Sequence, residues 1–134
     1  GYRTSVLKRH EISGIVLSAL LRLKNSSKEE VSVKIEQFSE RRKATQPPGA
    51  SMGSMFKNPE GDYAGRLIEA AGLKGTRIGN AEISTLHGNF FINHGETRAQ
   101  DVHALIRLVQ KTVMEKFGVT LELEVELVGE WNAE

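Results

Sequence analysis

The clearest hydrophobic pattern in this chain lies between residues 97 and 118 and has the periodicity of a helix. Apolar side chains recur there at intervals of three or four residues, at Val102, Leu105, Ile106, Val109, Val113 and Phe117. Thr97 and Gln100 precede this stretch with the spacing of a capping box, and Gly118 follows it at a position typical of helix C-termini. The pattern therefore predicts an amphipathic helix with one buried face.

Two shorter helices are predicted upstream of this one. Ser27 and Glu30 have the spacing of a second capping box, and apolar residues follow at helical intervals until about Lys43. Cationic side chains close that stretch, which suits the negative C-terminal end of a helix dipole. Asp62 is expected to cap a further helix that ends at Gly72.

Strand patterns complete the predicted fold. Residues 121–127 alternate leucine or valine with glutamate, as a half-buried strand does, and residues 89–93 form a short strand-like run. Residues 15–23 are predominantly apolar, which predicts a strand buried on both faces. The chain is therefore assigned to the α+β class, with a small mixed sheet and three main helices.

The composition is that of an ordinary globular domain. The 134 residues carry a net charge of +1, which gives no indication of a nucleic-acid partner or of an anionic membrane surface. The chain has no cysteine, so disulfides and thiolate chemistry are excluded. Its four histidines lack the spacing of metal ligands, and no metal is expected. The longest apolar run, residues 15–21, is too short to cross a bilayer, and a cytoplasmic location is expected.

The candidate chemistry is concentrated in residues 53–59, Gly-Ser-Met-Phe-Lys-Asn-Pro. Proline and glycine flank this segment on both sides, so neither a helix nor a regular strand is expected there. Within it, Ser54, Lys57 and Asn58 supply a hydroxyl, an ammonium and an amide group. A polar loop of this kind is typical of a ligand-binding segment, and the alternative is an ordinary connecting turn.

Two further groups carry charge that suits such a site. Glu122, Glu124 and Glu126 lie on one face of the predicted C-terminal strand, where they form either a solvated edge or an acidic wall of a cleft. Arg3, in the string Tyr-Arg-Thr-Ser, offers a planar guanidinium suited to binding a carboxylate. The residues alone thus indicate an α+β domain with a polar loop that can bind an anion.

Five motifs in the same order make the chain resemble the C-terminal part of one enzyme family, the UDP-N-acetylenolpyruvoylglucosamine reductases (MurB). The motifs are residues 2–5, residues 53–59, residues 70–79, residues 84–93 and residues 121–125. The resemblance covers essentially the whole chain and implies a flavoenzyme of bacterial peptidoglycan precursor synthesis. It also implies FAD as the cofactor, NADPH as the reductant and UDP-N-acetylglucosamine enolpyruvate as the substrate.

The resemblance implies roles for individual residues. Ser54 corresponds to the proton donor, and Arg3 with Glu124 corresponds to the pair that holds the substrate carboxylate and its enolate form. A preorganised guanidinium beside a hydrogen-bond donor would lower the barrier to such an enolate. The substrate contacts implied in the same way are Tyr2, Gln46, Lys57, Asn58 and His87.

The resemblance also implies how the chain is divided. Residues 1–46 are expected to be the tail of an FAD-binding domain, including its last strand, followed by a linker helix. Residues 47–134 are expected to be the substrate-binding domain. The N-terminal flavin-binding half of the same enzyme is the expected partner, and this part is not expected to be active alone. The chain lacks the tyrosine-bearing insertion of one branch of the family and resembles the shorter branch. The alternative function is a non-catalytic module that binds a nucleotide sugar.

Overall fold

The computed structural model describes residues 2–131, which contain three α-helices and one four-stranded sheet, and this confirms the predicted α+β class. The helices are α1 (Lys28–Thr45), α2 (Ala64–Ala70) and α3 (Ala99–Phe117). The strands are β1 (Ala50–Ser54), β2 (Arg77–Ile78), β3 (Ala81–Ile83) and β4 (Phe90–Asn93), in the order β1-β4-β3-β2. All pairings are antiparallel rather than mixed, since short turns join β2, β3 and β4, whereas parallel neighbours need a longer crossover.

The chain divides into two compact units, residues 1–40 and residues 41–134. In the first unit, residues 2–27 form turns and extended chain, so the predicted strand over residues 15–23 is wrong. Leu17 and Leu20 in that segment are almost fully exposed. A strand buried on both faces needs hydrogen-bonding neighbours at both edges, and the described residues of this unit contain no second strand.

Helix α1 begins where the sequence predicts. The Ser27 hydroxyl accepts a hydrogen bond from the Glu30 N–H at 3.1 Å, which confirms the predicted N-cap. The helix ends at Thr45, two residues beyond the predicted end. None of its side chains is buried, and the apolar residues Ile35 and Phe38 are exposed.

The second unit has a hydrophobic core in which α3 packs against β2, β3 and α2. The buried face of α3 consists of Leu105, Ile106, Val109 and Val113, all of which the helical pattern predicts. At the ends of that pattern Val102 is half-buried and Phe117 is exposed. The other large buried side chains are Met55, Phe56, Leu67, Ile68, Leu73, Ile83, Phe90, Phe91 and Leu121. Gly118 ends the helix in the left-handed conformation, with φ of 68°, as its position predicts.

Residues 50–54 form strand β1, which includes Gly53 and Ser54. The prediction that no regular strand forms at residues 53–59 is therefore wrong for these two residues. Ser51 pairs with Ile92 and Ser54 pairs with Phe90, which leaves one extra residue on β1 between the two pairs. This extra residue is a β-bulge, and Gly53 within it has a φ of 84°. Because glycine adopts that conformation without strain, it bends the strand here without ending it.

The predicted C-terminal strand is reduced to one bridge between Leu123 and Phe56. The Lys57 N–H donates to the Glu122 carbonyl at 2.8 Å, and the Glu124 N–H donates to the Met55 carbonyl at 2.9 Å. The predicted alternation describes burial only at the start of the segment, where Leu121 is fully buried and Glu122 is exposed. Leu123 and Glu124 are both half-buried and Leu127 is exposed, so the prediction of two distinct faces over residues 121–127 is wrong beyond residue 122, and the predicted pairing is too long.

Two predicted helix caps are replaced by other residues. Helix α2 begins at Ala64, and its first N–H donates to the Asn58 side-chain oxygen at 3.1 Å rather than to Asp62. Helix α3 begins at Ala99, where the Asp101 carboxylate accepts a hydrogen bond from the Arg98 N–H at 3.1 Å. Among residues 2–131, no helix combines the length and apolar character needed to cross a bilayer.

Candidate functional site

An open cleft of about 410 Å³ in the second unit brings three of the predicted site residues together. Ser54 at the end of β1, Asn58 in the following loop and His87 in the turn before β4 all line it. Helix α2 and the residue before it form another wall, and the turn around His87 completes the lining, with Tyr63, Gly65, Arg66, Glu69, Leu86, Gly88 and Asn89. The cleft therefore combines hydroxyl, amide, imidazole and guanidinium groups with one carboxylate, that of Glu69.

Ser54 is fixed through its backbone. It pairs with Phe90 across the sheet, and the next residue, Met55, donates its N–H to the Asn89 carbonyl at 2.9 Å. Met55 is fully buried in the core, while Ser54 on the opposite face of the strand is half-buried at the cleft. The strand thus directs a hydroxyl towards the cleft and anchors it by a buried neighbour.

His87 is held in one tautomer by the turn that carries it. Its Nδ1 accepts a hydrogen bond from the Asn89 N–H at 3.2 Å, so the ring proton lies on Nε2. The Ser84 hydroxyl accepts hydrogen bonds from the Leu86 and His87 N–H groups at 3.1 and 3.3 Å. The ring also contacts Phe90 edge to face, with 5.0 Å between the centroids. This geometry makes His87 a hydrogen-bond donor at the cleft.

Asn58 links the polar loop to α2. Its side-chain oxygen accepts the hydrogen bond from the Ala64 N–H, which orients the carboxamide. Because an amide side chain has both an acceptor and a donor group, the NH₂ end is the part of Asn58 that suits a ligand acceptor. The residue therefore serves both as a helix cap and as a wall of the cleft.

Lys57 and the glutamates are arranged differently from the prediction of one glutamate face. Lys57 Nζ lies 2.9 Å from the Glu122 carboxylate, and this hydrogen bond, followed by the charge of the ammonium, lowers the pKa of Glu122. Glu124 is half-buried, and its backbone pairs with Met55. Glu126 borders a second cavity of about 440 Å³, beside α3 and Trp131. Lys57 and Glu124 are not among the residues that line the cleft with Ser54.

The remaining predicted residues lie outside this cleft. Tyr2 and Arg3 belong to the first unit, where the Arg3 guanidinium lies 5.8 Å from the centroid of the Tyr2 ring. Arg3 has a φ of 53°, in the left-handed region. Gln46 follows α1, and its side-chain oxygen accepts a hydrogen bond from Arg42 Nε at 3.2 Å.

Arg66 and Asn89 were not predicted from the sequence as site residues. Arg66 borders the cleft and pairs with Asp62, and hydrogen bonds from the Arg66 side chain and the Tyr63 N–H lower the pKa of Asp62 to about 2. The spacing of Asp62 and Arg66, four residues apart on a predicted helix, was a usable signal. Asn89 is buried, and nothing in the sequence distinguishes it from a surface turn residue. Residues 2–131 contain no group of three acidic or histidine side chains arranged to hold a metal.

Comparison with known proteins finds similarity to one enzyme family, both by sequence profile and by individual relatives. The sequence profile described as UDP-N-acetylenolpyruvoylglucosamine reductase, C-terminal domain, matches residues 44–128. The UDP-N-acetylenolpyruvoylglucosamine reductase of Chloroflexus aurantiacus is 51% identical over 130 residues, covering 95% of this chain and 44% of that protein. The corresponding protein of Bacillus pumilus is 47% identical over 132 residues, covering 98% of this chain and 43% of that protein.

A solved structure gives the same result for the fold. The crystal structure of UDP-N-acetylenolpyruvylglucosamine reductase (MurB) from Thermus caldophilus is similar with a TM-score of 0.66 and 47% identity. That similarity covers 78% of this chain and 37% of the other. The chain spans less than half the length of the Chloroflexus aurantiacus and Bacillus pumilus reductases.

Proposed function

Because this chain belongs to the UDP-N-acetylenolpyruvoylglucosamine reductase family and matches its C-terminal domain, we propose that it supplies the substrate-binding and proton-donating part of that reductase. The observation that carries the proposal is that Ser54, Asn58 and His87 line one and the same cleft. The proposed substrate is UDP-N-acetylglucosamine enolpyruvate, and the product is UDP-N-acetylmuramate, a peptidoglycan precursor. A nucleotide-sugar substrate supports a cytoplasmic location.

The described residues do not by themselves fit FAD. Gly72, Gly75 and Gly79 lie in turns after α2 and around β2, and none of them opens a helix as a pyrophosphate-binding glycine loop does. We therefore propose that FAD, reduced by NADPH, is bound mainly by the N-terminal half of the enzyme. In this proposal residues 1–46 are the tail of the flavin-binding domain and a linker helix, and residues 47–134 are the substrate-binding domain.

The chemical task of this part of the enzyme is to complete the reduction of a carbon–carbon double bond. After a hydride adds to one carbon, negative charge develops on the other, next to the substrate carboxylate. In the proposed step the Ser54 O–H bond breaks and a C–H bond forms at that carbon. A serine alkoxide is a strong base, so it needs hydrogen-bond donors near it. The His87 Nε2–H and the Asn58 amide line the same cleft and are the proposed donors.

The remaining residues have proposed roles that follow from their chemistry. Arg3 and Glu124 are proposed to hold the substrate carboxylate and its enolate form, as a guanidinium and a hydrogen-bond donor suit that charge. Lys57 is proposed to bind substrate, in exchange with its present partner Glu122. Tyr2 and Gln46 are proposed as further substrate contacts.

The test uses the full-length flavin enzyme and measures its two half-reactions separately. In a Ser54→Ala variant, reduction of the flavin by NADPH should proceed at the wild-type rate. Reoxidation by the enolpyruvyl substrate should slow by about 10²- to 10⁴-fold, the usual contribution of a positioned proton donor. A Ser51→Ala variant removes a hydroxyl from the same strand without touching the cleft and serves as the matched control. Unchanged reoxidation in Ser54→Ala would contradict the proposed role, and substrate binding without any reduction would favour a non-catalytic binding module.

A further inference from the structure

Asn89 makes an unusual set of hydrogen bonds for a turn residue. Its side-chain oxygen accepts from the Phe56 N–H at 2.9 Å, and its side-chain nitrogen donates to the Phe56 carbonyl at 2.8 Å. Its backbone carbonyl accepts from Met55, and its backbone N–H donates to His87 Nδ1. The side chain is buried, with only 4% of the residue exposed. Both ends of the carboxamide are therefore committed to one backbone position.

The need for this arrangement follows from the strand pairing at Phe56. Phe56 faces Leu123 in a pair whose hydrogen bonds are made by the flanking residues 55, 57, 122 and 124. The N–H and C=O of Phe56 consequently point to the opposite side, towards β4. Strand β4 begins only at Phe90, opposite Ser54, and offers no backbone partner there. Since Phe56 is fully buried, these two groups would be costly to leave unpaired.

The Asn89 carboxamide takes the place of the missing strand. It presents one acceptor and one donor to Phe56, as a backbone amide of a neighbouring strand would. The chain before β4 is thereby free to leave the sheet and form the turn that carries His87 into the cleft. Ser54 lies two positions before Phe56 and Asn58 lies two positions after it. Both cleft residues therefore belong to the segment that Asn89 holds.

We propose that Asn89 is the positioning residue of the cleft, because its carboxamide sets the separation between the Ser54–Asn58 wall and the His87 wall. This inference rests on the proposed function of the cleft. Asn89 is among the residues that line the cleft, but it is only 4% exposed and both ends of its carboxamide are bonded to the Phe56 backbone, so it acts on the substrate through the residues it holds. A displacement of about 1 Å in a group that positions substrate costs about 10²-fold in rate.

The experiment compares Asn89→Asp with wild type in the full-length flavin enzyme. The carboxylate keeps the acceptor for the Phe56 N–H but places a negative charge against the Phe56 carbonyl. Flavin reduction by NADPH should be unchanged per bound flavin, whereas reoxidation by substrate should slow by about 10²-fold and the apparent substrate affinity should fall. Lowering the pH should restore part of the reoxidation rate, because the protonated carboxyl can again donate to the carbonyl.

Gln110→Glu is the matched control. The Gln110 side-chain nitrogen donates to the Leu121 carbonyl at 2.9 Å, so this variant loses the same kind of bond between side chain and backbone away from the cleft. It should lower thermal stability and leave the reoxidation rate and its pH profile unchanged.

The outcomes separate this inference from the proposed function. Slow reoxidation in Ser54→Ala together with wild-type reoxidation in Asn89→Asp would overturn the role of Asn89 alone. Equal slowing of both half-reactions in Asn89→Asp would show a merely structural residue and would also overturn it. If Ser54→Ala reoxidises normally, the proposed function fails, whatever Asn89→Asp does. Slowing confined to reoxidation, with recovery at low pH, supports the inference.

Discussion

Both units of this chain contain apolar residues for which the sequence predicts burial, and only those of the second unit are buried. In the second unit the periodic face of α3 is buried, and Leu105 is completely inaccessible. In the first unit the apolar positions of residues 15–23 and of α1 are exposed, and Leu20 is fully accessible. A hydrophobic pattern thus states which residues can be buried, while burial itself depends on neighbouring elements.

The core of the second unit should give the largest contrast. Leu105→Ala removes a fully buried side chain and should lower the free energy of unfolding by about 2–5 kcal/mol. Leu20→Ala, its counterpart in the first unit, removes an exposed side chain and should change that free energy by less than about 0.5 kcal/mol. Urea denaturation followed by circular dichroism measures both. Comparable losses in the two variants would show that the first unit has a core of its own.

A pair of glycines gives the next largest contrast. A Cβ at Gly65 would lie 2.8 Å from His87 Cε1, so Gly65→Ala should displace the ring and weaken substrate binding by about tenfold, the loss of about one hydrogen bond. A Cβ at Gly14, in the first unit, would come no nearer than 3.9 Å to a Leu7 side-chain carbon, and Gly14→Ala should bind normally. Calorimetric titration of the full-length enzyme with substrate checks both. Wild-type affinity in Gly65→Ala would remove His87 from the proposed site.

The N-caps of α3 and α1 should also differ in their contribution to the stability of the fold. Asp101→Ala removes the acceptor for the Arg98 N–H at the start of α3 and should lower the free energy of unfolding by about 1 kcal/mol. Ser27→Ala removes the equivalent bond at α1, which has no buried side chain. That variant should lose helical circular dichroism signal without moving the main unfolding midpoint. A shift of the midpoint in Ser27→Ala would show that α1 unfolds together with the core.

The smallest expected difference between the two units concerns the pH dependence of stability, and it is tested at one acidic residue in each unit. Hydrogen bonds lower the pKa of Asp62 to about 2, below the ordinary value near 3.9, so its stabilising effect is present above about pH 4 and lost as the pH falls towards 2. Asp62→Asn should reduce the difference in stability between pH 4.5 and 2.5. Arg9 lowers the pKa of Glu11 through a side-chain hydrogen bond in the first unit, and Glu11→Gln should leave the main midpoint unchanged. If both variants changed the pH dependence of unfolding equally, the predicted difference between the two units would be wrong.

The sequence was sufficient where a pattern depends on local chemistry. The buried face of α3, the Ser27 cap and the left-handed Gly118 are all determined within a few residues and were predicted correctly. It was insufficient where the partner is distant. Residues 15–23 were expected to be a strand, but the described part of the first unit offers no neighbour for one. The cap of α2 is supplied by Asn58, six residues away, rather than by the adjacent Asp62.

The candidate site shows the same division. Ser54 and Asn58 were identified from their own segment, and His87 was identified only through the family resemblance. Asn89 was missed because its role depends on where the backbone of Phe56 points, and that is decided by pairing with a residue near the C-terminus. Residues that hold a site together are therefore harder to recognise than residues that line it.

Because of the bulge at Gly53, the number of residues in β1 determines which side chains face the cleft and which face the core. Ser51 and Ser54 are three positions apart and pair with residues two positions apart, so the extra residue changes which face the following side chains occupy. With it, Met55 enters the core and Ser54 lies at the cleft. Deleting one residue here would exchange the two, placing a hydroxyl in the core and a thioether at the cleft. A single-residue insertion or deletion in β1 is therefore expected to disturb the site more than most substitutions do, and any library built on this segment must preserve its length.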